Sequence, residues 1–352
     1  MIAILGARGS IGQATRAALA RNGRHAGVRL GTRSATADPA WVTVDEGSPS
    51  SLATFAQGCS VVVDCTGICA PTTVAAALDA GASYLTPSSP TGLLSGHEVP
   101  DGLTACCNVG SAPGLSAVLQ TYAARDLGTA SELLFAYHVQ GPLSLASAQA
   151  LARGVVCATR PGRWEEGAYA RERTSAPVYD LDPLFGSAAL YAGVDDEARW
   201  VAQTLGLRSA RWLTGMGGAQ VAQVLPLLGT TYLRDPRAAA HLLRDAFARD
   251  TCTEPSGVRY LVRVRNDQGD SVTLRATATD PSALTGATLA ACALMIDEGS
   301  LAPLATRVLG DARSVPGLVE RLVASGALDL TRTVEQHTAP PQSASGSSAH
   351  GV

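Results

Sequence analysis

A glycine-rich stretch at the start of the chain constrains its fold more than any other feature. Aliphatic residues Ile2 to Leu5 predict a buried strand, and the glycines Gly6, Gly9 and Gly12 follow it. A helix with an Ala/Leu face is predicted next, from Gln13 to Arg21. Glycine permits positive φ and close backbone approach, and a helix N-terminus leaves amides free to bind a pyrophosphate. The order strand, glycine turn, helix therefore predicts a dinucleotide site.

The spacing of this turn is G-x-x-G-x-x-G, a variant of the usual G-x-G-x-x-G fingerprint. The alternative is a tight structural turn without a ligand, as in a Rossmann domain that has lost its cofactor. If the turn binds a dinucleotide, its cofactor-binding residues are Gly6, Arg8, Gly9, Ser10, Ile11 and Gly12.

The second predicted strand, Val28 to Thr32, ends without an acidic residue. NAD-preferring sites usually carry an acid here to hold the ribose 2′-hydroxyl, whereas an arginine accommodates the 2′-phosphate of NADP. Arg33 follows the strand, and Ser34, Thr32 and Arg8 would complete a cationic pocket. The sequence thus predicts NADP(H) in preference to NAD(H). The alternative is that Arg33 is a solvated surface arginine.

The composition excludes several function classes. A chain of 352 residues, 46% hydrophobic and 16% charged, has room for two globular domains. Its net charge of −3 gives no basic surface for nucleic acid. Every basic residue is an arginine, which excludes a Schiff-base lysine. No apolar run reaches the roughly 20 residues of a membrane span, and a strand beginning at residue 2 predicts no signal peptide.

The eight cysteines fit a reduced, cytoplasmic protein better than a disulfide scaffold. Their spacings do not form paired CxxC motifs, so we expect no metal site. Most are expected to be small buried side chains. Packing is also the favoured role for Cys65 and Cys69, with a nucleophilic thiol as the alternative.

Strands and helices alternate to about residue 116, which predicts an α/β fold with an N-terminal Rossmann-type, doubly wound parallel sheet over residues 1–116. The apolar run Ser60 to Cys65 is typical of a strand buried in such a sheet. Ligands bind outside the carboxyl ends of these strands. Cys65, Thr66 and Gly67 are therefore predicted to lie beside the nicotinamide half of the cofactor.

A second glycine and proline turn follows the predicted strand Gly102 to Asn108. A helix comes directly after it, so the turn is expected to present helix amides at the same edge of the sheet. Ser111, Pro113 and Gly114 are its predicted cofactor-binding residues.

The pattern changes after this helix. Strands at Leu133 to Gln140, Arg259 to Arg265 and Ser271 to Thr279, with helices between them, predict an inserted α+β substrate or dimerisation domain with an antiparallel sheet over residues 117–280. Residues 281–330 are expected to form helices that pack back on the Rossmann domain. Pro, Ser, Gly and Ala dominate residues 331–352, which predicts a disordered tail.

Four segments of the chain resemble the saccharopine dehydrogenase-like oxidoreductases. They are GARGSIG at Gly6 to Gly12 with the GTRS strand end, the stretch from Val61 to Thr86, NVGSAPGLS at Asn108 to Ser116, and the stretch from Thr277 to Gly299. The third is the most specific. Between residues 133 and 274 only SLASAQ, at Ser144 to Gln149, is similar to relatives.

The resemblance implies a two-domain, usually dimeric enzyme that uses NAD(P) to transfer a hydride to or from a small molecule held between the domains. Many members act on C–N bonds through an imine, and others reduce C=C or C=O bonds. The leading hypothesis is an NADP(H)-dependent reductase of an imine or related unsaturated bond in an amino-acid-like or secondary-metabolite substrate. The alternatives are an enoyl or carbonyl reductase and a non-catalytic NADP(H)-sensing Rossmann protein.

Candidate catalytic residues follow from the chemistry of hydride transfer, which needs orientation, exclusion of water and at most one proton donor. An imine that arrives protonated needs no donor, whereas a ketone or enone needs a general acid. The candidates are His138, Tyr137 and His97. Strand alternation places Tyr137 and His138 on opposite faces, so at most one of them lines the cleft. The alternative for each histidine is a structural or surface role.

An arginine-rich segment from Arg160 to Arg173 offers a second kind of site. If the substrate is an amino or keto acid, Arg160, Arg163, Arg171 or Arg173 could bind its carboxylate bidentately. The alternative is a solvated loop with salt-bridged surface arginines.

Overall fold

The N-terminal part of the chain alternates strands and helices, as the sequence predicts. The computed structural model describes residues 1–24, 27–35, 38, 40–88, 93–94, 97–172, 176–301, 305–306, 309 and 315–336. Its first elements are β1 (Ile2–Leu5), α1 (Ser10–Arg21), β2 (Val28–Thr32), β3 (Trp41–Thr43), α2 (Pro49–Ala56), β4 (Val61–Asp64), α3 (Pro71–Asp79), β5 (Ser83–Leu85), β6 (Ala105–Cys106) and α4 (Leu115–Ala124).

These strands form one parallel sheet with helices on both faces. A later strand, β14 (Ala305–Thr306), joins it to give the order β14-β6-β5-β4-β1-β2-β3. Helix α1 covers one face together with α9 (Pro281–Asp297), and α2 and α3 cover the other. The predicted doubly wound sheet is confirmed. Because its strands are parallel, Leu5, Thr32 and Asp64 all end at one edge, where ligands of such sheets bind.

The second part of the chain builds a mixed sheet of eight strands, in the order β15-β13-β12-β7-β11-β8-β9 with β10 also paired to β11. A short π-helical turn, Gly154–Ala158, prolongs one of its helices. The elements are β7 (Glu132–Gln140), α5 (Leu145–Arg153), β8 (Gly162–Glu165), β9 (Ala168–Arg171), β10 (Tyr191–Ala192), α6 (Asp196–Leu205), β11 (Ser209–Met216), α7 (Ala219–Arg234), α8 (Pro236–Thr251), β12 (Gly257–Arg265), β13 (Ser271–Ala278), α10 (Val315–Ala324) and β15 (Asp329–Glu335).

The predicted α+β class is confirmed, but the sheet is not wholly antiparallel. Strands β7 and β11 run parallel, with Leu133 beside Ala210. A long crossover joins them, and such a connection returns the chain in the same direction. Strand β11 is not among the strands predicted from the sequence. The arginine-rich segment, for which a solvated loop was the alternative, contains the hairpin of β8 and β9.

The beginning of the predicted disordered tail is a strand. Residues Asp329–Glu335 form β15, which pairs antiparallel with β13 along its whole length. Most of its side chains are exposed, so the sequence shows no apolar pattern there. The strand is held by its backbone hydrogen bonds to β13. The prediction of disorder is therefore wrong for residues 331–335. Residues 337–352 lie outside the described part of the chain.

One apolar core underlies both sheets. Helix α4 leaves the first sheet, is buried on nearly all sides and packs against β12, β13 and α6. Its side chains belong to the same cluster as Ile4 and Val63 of the first sheet and Tyr260 and Val262 of the second. Helix α9 lies so close to α1 that a Cβ on Gly286 would be 2.6 Å from Ala14. The second sheet is thus fixed against the first.

All eight cysteines lie in the described residues and are free thiols. Cys157 and Cys252 are exposed, whereas the other six are buried or half-buried. No described helix is both long and apolar enough to cross a bilayer.

Candidate functional site

Two of the three glycines of the first turn, Gly6 and Gly12, are required by close backbone contacts. Gly6 has φ +74°, and a Cβ there would lie 2.9 Å from the backbone of Cys65 and Thr66. A Cβ on Gly12 would lie 2.7 Å from Ala7 Cα. Such separations are shorter than atoms tolerate, so only glycine lets β1, β4 and α1 converge here. The turn is therefore built for close approach of the backbone.

The N-terminus of α1 presents open amides at this turn. Gly9 is the N-cap residue, and no described side chain caps the helix or places an acid in its first turn. The first intrahelical bond is from Gln13 N to Gly9 O, at 2.9 Å. The amides before it have no intrahelical acceptor, and the helix dipole favours an anion beside them. These amides, which fit a pyrophosphate, belong to Ser10, Ile11 and Gly12.

The end of β2 carries the predicted cation. Thr32 is buried and accepts a bond from Ser34 N at 3.3 Å, while Arg33 and Ser34 are exposed. A carboxyl group that the sequence did not indicate comes from the loop after β3. Glu46 lies near Arg33; burial raises the pKa of its carboxyl, the charge of Asp64 adds to this effect, and Arg33 opposes it. This corner of the edge therefore holds both a cation and a carboxyl group.

Arg8 has a neighbour that the sequence did not suggest. Its guanidinium lies 5.1 Å from the ring centroid of Trp41, and that of Arg16 lies 5.8 Å from the same ring. Cation–π contacts of this kind hold a guanidinium in place. Arg8 is thus oriented beside α1, and its contact with a 2′-phosphate stays a prediction.

The loop after β4 is held by a buried carboxylate. Asp64 Oδ1 accepts bonds from Thr66 N at 2.9 Å and Thr66 Oγ1 at 2.6 Å, and Oδ2 accepts one from Tyr84 OH at 2.8 Å. Gly67 follows, and a Cβ on it would come 3.9 Å from Ala146 Cβ at the start of α5. The loop thus faces the second part of the chain. Sequence patterns missed Asp64, because its partner Tyr84 is on another strand.

Burial disfavours the thiolate form of both thiols beside this loop. Burial raises the pKa of Cys65 well above its usual range, and the charge of Asp64 raises it further. Burial likewise raises the pKa of Cys69, whose Sγ lies 3.2 Å from Thr86 Oγ1. A raised pKa lowers the fraction of thiolate, which is the nucleophilic form of cysteine. The expected packing role fits both residues.

The second glycine and proline turn uses its amides internally, which corrects the expectation that they face a ligand. Gly114 N donates to Glu197 Oε2 at 2.7 Å, and Ser116 Oγ donates to Glu197 Oε1. Ser111 N donates to Thr285 Oγ1 at 3.3 Å. These bonds tie the turn to α6 and α9. The amides of Ser111 and Gly114 therefore do not support a cofactor-binding role. Such a role for Ser111, Pro113 and Gly114 depends on where the turn lies and stays a prediction.

Tyr137 is the candidate that reaches this turn. Its ring centroid is 5.2 Å from that of Tyr260, which donates a hydrogen bond to Ser111 O at 2.9 Å. Burial raises the pKa of Tyr137 to about 12, the charge of Glu197 adds to this, and a hydrogen bond with Ser111 opposes it. The phenol is therefore protonated at neutral pH.

His138 lies on the opposite face of β7, as strand alternation predicts. It is 2% exposed, and its Nε2 bonds Gly217 O at 3.0 Å. A carbonyl only accepts, so Nε2 carries the proton. Burial lowers the pKa of the ring, which leaves Nδ1 a bare acceptor without a partner among the described residues. His97 is half-buried in a loop, where its amide bonds Leu94 O at 3.4 Å.

Arg163, one of the arginine candidates, is held by carboxylates on the second sheet. Arg163 binds Glu165 at 2.8 Å and Glu172 at 3.1 Å. It lies on β8, which pairs with the first half of β11. The loop after β4 instead faces α5, the helix that follows the end of β7. Arg173 lies outside the described residues. Arg163 therefore lies away from the loop after β4, where the sequence predicts the nicotinamide.

No protein-family model matches the sequence, and no curated protein matches it either. Among solved structures, a myo-inositol dehydrogenase from Corynebacterium glutamicum is 11% identical and covers 94% of this chain and 98% of its own, with a TM-score of 0.43. A meso-DAPDH mutant from Clostridium tetani, solved with DAP, is 13% identical and covers 86% and 92%, with a TM-score of 0.42.

GenD2 from gentamicin A biosynthesis, solved with NAD, is 14% identical and covers 94% of this chain and 95% of its own, with a TM-score of 0.42. At these identities the likeness concerns the fold alone. None of the three is named a saccharopine dehydrogenase, so the resemblance to that family stays a prediction.

Proposed function

We propose that the chain is an NADP(H)-dependent oxidoreductase that transfers a hydride to an imine or a related unsaturated bond of a small amino-acid-like or secondary-metabolite substrate. The observation that carries the proposal is the first glycine turn. Its backbone contacts exclude every side chain at Gly6 and Gly12, and the uncapped N-terminus of α1 lies beside it. The glycines let the strands and the helix converge, and the amides that the helix leaves open suit a pyrophosphate.

Different residues of the edge would bind different parts of the cofactor. The turn from Gly6 to Gly12 would bind the pyrophosphate, and Arg33 with Arg8, Thr32 and Ser34 would bind the 2′-phosphate. Cys65, Thr66 and Gly67 would flank the nicotinamide on one side, and the turn from Ser111 to Gly114 on the other. When bound, NADPH supplies the hydride. The protein's own task is then to orient the substrate and exclude water.

The first test is a fluorescence titration with NADPH and with NADH on the wild type and on Arg33→Ala. We expect NADPH to bind the wild type at least tenfold more tightly, about 1.4 kcal/mol, because only its 2′-phosphate meets Arg33. The substitution should remove that difference. Arg237→Ala, which replaces an exposed arginine on α8, is the matched control and should retain it.

The variant Glu46→Gln tests the opposite result, in which the site does not prefer NADPH. If NADH binds as tightly as NADPH and Glu46→Gln weakens NADH alone, the carboxyl holds a ribose hydroxyl and the NADP preference is wrong. If neither nucleotide binds, the glycine turn is structural and the oxidoreductase proposal is lost. Tight NADPH binding without turnover of any imine, ketone or enone would favour the sensor.

Tyr137→Phe distinguishes imine reduction from the enoyl or carbonyl alternative. A protonated imine needs no donor, so we expect kcat for imines to change less than threefold. A ketone or enone must gain a proton, and loss of the phenol should lower its kcat by roughly 100-fold. Rates on a panel of imines, ketones and enones with NADPH measure this. An equal loss on all three classes would show that Tyr137 only packs beneath the turn.

The proposal includes a cytoplasmic homodimer. The eight free thiols suit a reducing compartment. Sedimentation of the purified chain measures its association, and a monomer at all concentrations would remove the dimer from the proposal.

A further inference from the structure

A groove lined by arginines lies on the second sheet, away from the ligand-binding edge. Its volume is about 360 Å³, and we call it the arginine groove. That volume is within the roughly 300–1,000 Å³ of small-molecule sites. The side chains that define it are Glu132, Leu134, Arg163, Arg211, Arg263 and Arg265.

Strand register places two of these arginines around one apolar residue. Leu134 on β7 is opposite Arg211 on β11 and opposite Arg263 on β12. Residues in one row of a sheet share a face. The two arginines are therefore two strand spacings apart, roughly 10 Å between Cα atoms. Their long side chains can meet above Leu134, which is half-buried.

The acids of the groove are engaged by other arginines. Glu165 is bound by Arg163 at 2.8 Å, and Glu132 lies 3.7 Å from both Arg265 and Arg208. On the adjoining segment, Asp182 binds Arg275 at 2.8 Å.

Arg211 and Arg263 form no ion pair within the described residues. Outside those residues the chain has one acidic side chain, Asp311. The charge of Arg263 does reach Asp182, a carboxylate that Arg275 binds: the hydrogen bond from Arg275 lowers the pKa of this carboxyl, and the charge of Arg263 lowers it further. Two guanidiniums in one groove that no carboxylate binds directly favour the binding of an anion.

We propose that the arginine groove binds a small metabolite through an oxyanion, a carboxylate or a phosphate. Guanidinium groups bind both with paired, parallel hydrogen bonds. The apolar floor at Leu134 suits the carbon body of the metabolite. The groove is separate from the second glycine turn, because Leu134 and Tyr137 are three residues apart on β7 and therefore lie on opposite faces of the sheet. Gln140, at the end of the strand, is roughly 20 Å from Leu134.

The test uses inorganic phosphate and succinate as separate probes, titrated calorimetrically into the full chain at constant ionic strength. The variant is Arg211→Gln with Arg263→Gln. Its matched control is Arg234→Gln with Arg237→Gln, which changes the net charge equally at exposed positions on α7 and α8. Phosphate also has a potential site at the first glycine turn, so the comparison is between variant and control.

We expect at least one probe to saturate the wild type and the control, and to bind the groove variant at least tenfold more weakly. Whichever probe binds more tightly identifies carboxylate or phosphate as the group bound. Equal affinities in variant and control, or no saturation by either probe, would overturn the proposal. A change of oligomeric state in the groove variant without a change in anion affinity would overturn it as well. NADPH affinity, measured on the same proteins, should be unchanged, which separates this site from the proposed function.

Discussion

Replacing Gly114 with alanine is expected to destabilise the protein by about 3 kcal/mol or more. Gly114 has φ +124°, which side-chain-bearing residues rarely adopt. A Cβ there would lie 2.8 Å from Gly110 N and would overlap Asn108 O. The atoms in the way are backbone and cannot rotate aside. Gly114 is the N-cap residue of α4. Any shift of its backbone would therefore move the helix and disturb the core beneath both sheets.

Urea denaturation of Gly114→Ala measures the loss, and Gly229→Ala is the matched control. Gly229 lies inside α7, with no atom within 4 Å of a Cβ placed on it. Alanine is the better helix former, so the control should gain roughly 0.5–1 kcal/mol. A Gly114→Ala protein within 1 kcal/mol of the wild type would show that the turn can relax.

The second large effect is the pH dependence contributed by Glu197. Burial raises the pKa of this carboxyl to about 8, and the charge of Asp195 adds to the effect, against the bonds from Ser116 and Gly114 that lower it. Burial also raises the pKa of Asp195 itself. Besides Asp195, the titratable groups near Glu197 are the phenols of Tyr137 and Tyr260, which are neutral throughout this range.

The sign of the effect follows from proton binding. Between the unfolded value of 4.5 and about 8, the folded carboxyl holds a proton that the unfolded one has released. Stability is therefore lost as the pH rises through this window, by up to about 1.4 kcal/mol per pH unit.

Glu197→Gln imitates the protonated carboxyl and should lack this loss. Relative to the wild type, the variant should gain stability between pH 5 and pH 8, by up to about 4 kcal/mol. Free energies of unfolding at pH 5, 6, 7 and 8 test this. Parallel curves for the two proteins would mean that the folded carboxyl ionises normally.

Local patterns predicted the parts of the site that local chemistry determines. The glycines of the first turn, the cation at Arg33 and the opposite faces of Tyr137 and His138 all follow from spacing along the chain. The roles of the carboxyl groups of Asp64 and Glu197 do not follow from such spacing. Asp64 is bound by Tyr84 from another strand, and Glu197 is 81 residues from its partner Ser116. A single sequence carries no signal for such a pairing.

The same limit explains the errors in the fold. Strand β15 has few apolar residues, and its backbone pairing with β13 is a tertiary contact that its composition does not indicate. The direction of β11 depends on the crossover that precedes it. The second turn looked like an anion site because its helix follows a glycine, and only the position of Glu197 shows that the amide of Gly114 is already bonded.

The buried helix α4 also limits how the molecule can move. In many two-domain proteins, a ligand is enclosed by rotation of one domain about a hinge. Here such a rotation would pull apart apolar side chains that both sheets share, and their exposure to water opposes it. Enclosure of a ligand is therefore left to the loops at the edge, and differences in what the site accepts should arise in those loops rather than in the angle between the sheets.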